Sequence, residues 1–84
     1  MRLNKLRILA GILEVCSDSG GNKTKIIYGS NINFKAADAY LDMLIEEGLM
    51  NVIGPGPREK YHTSEKGLRI LGSIKEIYKF MECA

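Results

Sequence analysis

The sequence predicts one mainly α-helical domain of 84 residues with a small β-hairpin. Apolar residues recur every three or four positions in several segments, and Gly- and Pro-containing breaks separate these segments. Two short apolar or alternating segments also flank a Gly-Pro-Gly-Pro turn. We therefore expect a single domain over residues 1–84, made of a first helix (2–17), a pair of helices (22–48), a hairpin (49–63) and a last helix (64–82).

The first helix is indicated by Leu6, Leu9, Leu13 and Cys16, which are spaced three, four and three residues apart. This spacing places their side chains on one face of a helix. The polar, glycine-rich segment 17–21 then ends it.

The second helix is short, and side-chain capping defines its expected start. Asn22 is a good N-cap, so the helix is expected from Lys23 to Tyr28, and Gly29 is expected to end it.

The third helix is expected to begin after a cap at Asn33 and to end before Gly48 in a left-handed conformation. Tyr40 is expected at the edge of its buried stripe. The expected buried stripe is Phe34, Ala37, Leu41, Leu44 and Ile45.

The hairpin is expected to pair strands 49–53 and 58–63, with Tyr61 facing the core and Arg58 and Lys60 facing outward. Ser64 is expected to cap the last helix. The order helix, short helix, tight turn, helix, hairpin, helix is that of a winged helix-turn-helix, here with an extended C-terminal helix.

Several function classes find no support in the sequence. No apolar run approaches the roughly 20 residues of a membrane span, and scattered charges near the start argue against a signal peptide, so a cytoplasmic location is expected. Cys16, Cys83 and His62 are too few and too widely spaced for a zinc site, and we expect both thiols to be reduced. No set of nucleophile, base and acid is visible, so we expect neither an enzyme nor a metal or cofactor.

Charge is segregated along the chain. Residues 1–35 carry a net charge of +4, residues 36–57 of −4 and residues 58–84 of +2. A weakly basic chain of this kind is compatible with nucleic-acid binding without requiring it.

An ordered set of short motifs resembles a known family. The motifs are Lys23-Thr24-Lys25-Ile26-Ile27-Tyr28, Asn31-Ile32-Asn33-Phe34, Tyr40-Leu41 with Leu44, Glu47-Gly48-Leu49, and Tyr61 with Ser64-Glu65-Lys66-Gly67. Over about residues 7–74 they resemble the archaeal winged-helix family that includes the ten-kilodalton crenarchaeal chromatin-type DNA-binding proteins. The resemblance implies a winged-helix fold, binding to double-stranded DNA, and a homodimer formed by antiparallel pairing of the C-terminal helices. The last helix here is expected to end near residue 82, so a short pairing is expected rather than a long rod.

The expected DNA contacts lie on the second helix, the turn, the third helix and the hairpin. They are Lys23, Thr24, Lys25, Asn31, Asn33, Lys35, Arg58 and Lys60. Alternatively, Asn31 is a turn residue, Asn33 is only a cap, and the lysines belong to a solvated surface. Asp38 and Asp42 on the third helix weigh against DNA binding if they face the phosphates unpaired.

The expected dimer interface is the apolar stripe of the last helix, and its expected members are Leu71, Ile74, Ile77, Tyr78 and Met81. Alternatively, this helix folds back on its own domain. The function predicted from all of these features is DNA binding as a dimer, either as a transcription regulator or as a chromatin-like protein. The alternative is a winged-helix protein-interaction or dimerisation module that does not bind DNA.

Overall fold

The chain forms four helices and one antiparallel hairpin, in the order that the sequence predicts. The structure is a computed structural model that describes residues 3–83, with side chains for residues 5–81. The elements are α1 (Leu3–Val15), α2 (Lys23–Ser30), α3 (Phe34–Glu46), β1 (Met50–Ile53), β2 (Lys60–Thr63) and α4 (Glu65–Cys83). Residue 2, the expected start of the first helix, lies outside the described residues. In the described part of the chain, no helix combines the length and hydropathy that a membrane crossing requires.

Asparagine side chains begin α2 and α3, as predicted. The Oδ1 atom of Asn22 accepts from the Lys25 backbone N–H at 2.8 Å, and that of Asn33 accepts from the Ala36 N–H at 2.8 Å. Each bond satisfies a backbone donor that has no partner within its helix. The starts of α2 and α3 are therefore set by local hydrogen bonds.

The expected end of α2 at Gly29 is wrong. The helix continues through Gly29 to Ser30, and Asn31 takes the left-handed conformation at φ 55°. A Cβ atom at position 29 would lie 2.6 Å from Cγ2 of Val15, so Gly29 permits close packing of α2 on α1. Asparagine tolerates the left-handed region better than other side chains, and it ends the helix instead.

The end of α3 follows the prediction. Gly48 has φ +76°, its N–H donates to the Ile45 carbonyl at 3.1 Å, and the Leu49 N–H donates to the Leu44 carbonyl at 2.8 Å. These two bonds form a Schellman motif, which directs the chain from α3 into β1.

The hairpin pairs Met50 with Thr63 at its base and Ile53 with Lys60 at its tip. The expected strand 58–63 is too long, because Arg58 lies in a 3₁₀ turn and β2 begins at Lys60. Pro57 has no backbone N–H to donate to a strand partner, and the Arg58 N–H donates to the Pro55 carbonyl within the turn. Arg58 is nevertheless exposed, as is Lys60.

The base of the hairpin is bonded to the helices. Thr63 donates from Oγ1 to the Leu13 carbonyl at 2.6 Å, and Tyr61 exchanges two backbone hydrogen bonds with Gly21 at 2.8 and 3.0 Å. Ser64 accepts from the Gly67 N–H at 3.0 Å, which confirms the predicted cap of α4. The orientation of the hairpin is thereby tied to α1.

The core lies between α1, α2, α3, the hairpin base and the first half of α4. Its buried hydrophobic residues are Ile12, Leu13, Cys16, Ile26, Ala37, Leu41, Leu44, Met50, Tyr61, Leu71 and Ile74. The expected burial of Phe34 and Ile45 is wrong, because they are 62% and 36% exposed. At 3.6 residues per turn they lie about 50° and 70° from the centre of the buried face of α3, and so at its edges.

Candidate nucleic-acid interface

The first turn of α2 and the hairpin connection border one cleft of about 280 Å³. It is lined by Asn22, Lys23, Thr24, Gly56, Pro57, Glu59 and Tyr61. Two expected DNA contacts, Lys23 and Thr24, therefore lie close to the connection that contains Arg58.

Lys23 forms an ion pair across the helix-turn-helix. Its Nζ lies 2.6 Å from Oδ1 of Asp38 on α3. The hydrogen bond to this carboxylate raises the pKa of Lys23. Asp38 thus faces the start of α2, but its charge is balanced, and Lys23 is not free to bind another anion without leaving it.

The carboxylate of Glu59 lines the cleft, although Glu59 was not among the expected site residues. The hydroxyl of Tyr61 donates to Oε1 of Glu59 at 3.1 Å. Burial raises the pKa of Tyr61, and the bond to Glu59 adds to the effect. Strand alternation predicts Glu59 and Tyr61 on one face, since they are two residues apart, and the hydrogen bond between them agrees with that prediction.

Four of the expected DNA contacts are cations that form no ion pair among the described residues. Within the described residues, the two ion pairs are Lys23–Asp38 and Lys75–Glu14. The free cations, which we call the corner cations, are Lys25 on α2, Lys35 on α3, Arg58 in the hairpin connection and Lys60 on β2. All four are exposed.

The buried thiol beneath this surface has no feature of a reactive site. Cys16 is a free cysteine that is 1% exposed. Burial raises the pKa of its thiol to about 11, although the nearby charge of Lys25 opposes the shift. The group is therefore protonated at neutral pH, as a core side chain would be. The side chain of Cys83 lies outside the described residues.

Sequence comparison assigns the family. The profile described as winged helix-turn-helix matches residues 2–82. The chain belongs to the winged helix-turn-helix family.

The chain is similar to three proteins to different degrees. Sso10a-2, a DNA-binding protein from Sulfolobus solfataricus, is 33% identical with a TM-score of 0.82, over 92% of this chain and 80% of its own. The uncharacterized protein MJ0287 of Methanocaldococcus jannaschii is 24% identical over 93% of this chain and 76% of its own length. The MarR family transcriptional regulator SPO1453 of Silicibacter pomeroyi shares the fold, with a TM-score of 0.72 and 16% identity over 99% of this chain and 58% of its own. The predicted resemblance to archaeal winged-helix proteins is confirmed.

In a winged helix-turn-helix the helix after the turn is the recognition helix, which is α3 here. Four residues spaced four, three and four positions apart form its outward stripe, and all four are exposed. They are Lys35, Ala39, Asp42 and Glu46. The N-terminal half of the recognition helix therefore offers a cation and a methyl group, whereas its C-terminal half offers two carboxylates.

The two asparagines of the turn have structural roles that leave polar atoms available. Asn33 uses Oδ1 as the cap of α3, which leaves its amide N–H group to donate elsewhere. Asn31 is exposed at the left-handed end of α2. The alternative of turn and cap roles is thus correct for both, and neither role prevents a contact to phosphate.

Two aromatic rings flank the turn, and the sequence analysis missed their exposure. Tyr28 is 82% exposed at the end of α2, and Phe34 is 62% exposed at the start of α3. Tyr28 follows the buried Ile26 by two residues, which places it on nearly the opposite side of the helix. That spacing was the available signal for its exposure.

The last helix has a buried face and an exposed apolar face. Leu71 and Ile74, two of the expected dimer residues, are 6% and 5% exposed within the single chain. Tyr78 is half-buried. An exposed stripe remains beside them, which we call the α4 stripe. It consists of Ile70, Ile77 and Met81, at 38%, 44% and 39% exposure.

Proposed function

We propose that the chain binds duplex DNA as a homodimer, through the helix-turn-helix and the wing. The observation that carries this proposal is the set of four corner cations without ion pairs on α2, α3 and the hairpin, together with the pairing of Asp38 by Lys23. An unpaired carboxylate at that position would repel phosphate. Likeness to a DNA-binding protein at 33% identity supports the same reading.

The charge pattern of α3 favours one docking geometry. The N-terminal half carries Lys35, and the carboxylates of Asp42 and Glu46 lie further along the same stripe. We therefore infer that only the first half of the helix enters the major groove, with Lys35 reaching guanine or phosphate. Thr24 and Lys25 then contact one phosphate backbone, and Arg58 and Lys60 contact another phosphate or the minor groove.

The α4 stripe supports the homodimer. Its three side chains are large and apolar, and they lie at intervals of seven and four residues on one side of the helix. Antiparallel pairing of two such helices about a two-fold axis would remove them from water. Leu71 and Ile74 then support the interface from within each domain, because they have little surface left to contribute.

A fluorescence-anisotropy titration of a labelled duplex at several salt concentrations tests DNA binding. Four phosphate contacts predict a slope of log K against log salt of about −3.6 for each engaged protomer, at about −0.9 per contact. Lys35→Gln or Arg58→Gln is expected to reduce the magnitude of that slope by about 0.9.

Arg69→Gln is the matched control, because Arg69 is an exposed cation on α4, outside the corner. Its slope is expected to equal that of the unaltered chain. Absence of duplex binding at low salt would refute the proposal and leave the alternative of a winged-helix interaction module.

A further inference from the structure

A second cavity, which the proposed DNA contacts do not use, lies between α1 and α3. Its volume is about 420 Å³, within the range of small-molecule sites. It is lined by Lys5, Leu9, Ala36, Ala39, Tyr40 and Met43. Asp38 lies on the other flank of α3, where it pairs with α2.

The walls of this cavity are almost entirely apolar. Leu9 and Tyr40 are half-buried and pack against the core, so they form a fixed floor. Ala36 and Ala39 leave space because their side chains end at a methyl group. An apolar site of this size gains affinity by burying a hydrophobic body.

One charge borders the cavity. Lys5 is exposed and takes part in neither ion pair of the described residues, and none of the six lining residues is acidic. A cation beside an apolar cavity selects for a ligand with one negative group and an otherwise apolar body.

We propose that this cavity binds a small amphipathic anion, with an aromatic or aliphatic body against Leu9, Tyr40 and the two alanines and a carboxylate or sulfonate at Lys5. Ala39 also belongs to the outward stripe of α3. A ligand seated there occupies space beside the surface proposed for DNA. It therefore lowers duplex affinity, and this second part rests on the proposed function.

The first test measures ligand binding by the full chain without DNA. The probe is 8-anilinonaphthalene-1-sulfonate, whose fluorescence rises in apolar sites, and saturation at one probe per protomer is expected. Ala39→Phe fills the cavity and is expected to weaken binding at least tenfold. Residue 39 is exposed, so the thermal unfolding midpoint of this variant is expected to stay the same.

The second test isolates the charge. Lys5→Gln is expected to weaken sulfonate binding by about two- to fivefold, the range for an exposed ion pair. It is expected to leave unchanged the affinity for N-phenyl-1-naphthylamine, a neutral probe with the same aromatic groups. Lys79→Gln, an exposed lysine on α4, serves as the control and is expected to change neither affinity.

Three results would overturn the ligand site. Equal dye binding by Ala39→Phe and the unaltered chain would place the dye elsewhere, for example on the α4 stripe. An equal loss of affinity for both probes in Lys5→Gln would show that the charge of Lys5 does not select the anion. Dye affinity that falls as protein concentration rises would assign the cavity to a second copy of the chain.

The coupling to DNA is tested by the duplex titration with and without saturating dye. An at least threefold loss of duplex affinity is expected, and no change would refute the coupling. If the chain binds no duplex at all, the dye measurements still decide the ligand site, so the two proposals fail separately.

Discussion

The helix-turn-helix corner and the far half of α4 expose opposite kinds of side chain. The corner exposes four cations that form no ion pair among the described residues, and the nearby carboxylate of Asp38 is paired. The α4 stripe exposes apolar side chains, whereas Leu71 and Ile74 of the same helix are buried in the core.

The two surfaces therefore bind their partners through different interactions, one electrostatic and one hydrophobic. Attraction between exposed charges weakens as salt rises, because counterions screen it. Burial of apolar surface does not weaken in this way. Raising salt should therefore weaken DNA binding much more than dimerisation, and substitution of a corner cation should leave the dimer intact.

The largest expected effect is on the dimer. Ile77→Asp places one carboxylate from each protomer in the apolar interface, so the dimer dissociation constant is expected to rise about 100-fold or more. Sedimentation equilibrium measures it, and the DNA salt slope should fall to the value of one protomer. Lys79→Asp places the same carboxylate off the stripe, with a larger change of net charge, and an equal effect there would place the interface elsewhere.

Alkaline pH should affect both surfaces together. The pKa of Cys16 rises on folding from 9.0 to about 11, so at intermediate pH the folded chain holds a proton that the unfolded chain has lost. The free energy of unfolding should therefore fall as pH rises from about 9 to about 11, by roughly 2–3 kcal/mol at the end of that range. Tyr61, whose pKa is also raised, adds a loss above its ordinary value of 10.0.

Urea denaturation at pH 8, 9 and 10 measures this fall. A Cys83→Ser background keeps the second thiol out of the titration. Cys16→Ala should remove the part of the decline that begins near pH 9. An undiminished decline in that variant would show that another group is responsible.

A smaller effect is expected at the Lys23–Asp38 pair. Asp38→Asn frees Lys23 for phosphate, so duplex affinity should rise about fivefold and the salt slope should steepen by about 0.9. Asp42→Asn removes a carboxylate that has no ion pair among the described residues, so it should raise affinity without steepening the slope. Equal slopes in the two variants would mean that Lys23 does not reach DNA.

The cap of the recognition helix gives a comparably small effect on stability. Asn33→Ala removes the bond to the Ala36 N–H and should lower the free energy of unfolding by about 1 kcal/mol. Urea denaturation measures it, with Lys35→Ala as a neighbouring control that leaves the cap intact. The dimer dissociation constant, measured without urea so that the variant is folded, should not change. A change would show that the two surfaces are coupled.

The sequence was sufficient where the determinant is local. The caps at Asn22, Asn33 and Ser64 and the left-handed Gly48 each depend on a few consecutive residues, and all four are observed. The element order, and with it the winged-helix plan, follows from the same kind of signal.

The sequence predictions were wrong where a residue that is distant in the sequence determines the local structure or the burial of a side chain. Gly29 is fixed by contact with Val15 on another helix rather than by a helix end. Phe34 lies at the edge of the buried face of α3, and whether another element covers that edge depends on the packing of the whole domain.

The candidate site shows the same division. Charge pattern and helix order indicated the types of residue, Lys35 and Arg58 among them. The pairing of Lys23 with Asp38 required the angle between α2 and α3, which no local pattern contains. The cleft position of Glu59 likewise depends on how the hairpin packs against α2.

The contact between Gly29 and Val15 has a consequence for divergence within the family. A methyl group at position 29 would meet Cγ2 of residue 15, so enlarging one position requires reducing the other. Relatives with alanine at the first position should carry alanine or glycine at the second. A larger side chain on one helix would then be compensated by a smaller one on the other, and the crossing angle of the two helices would be preserved while the sequence changes.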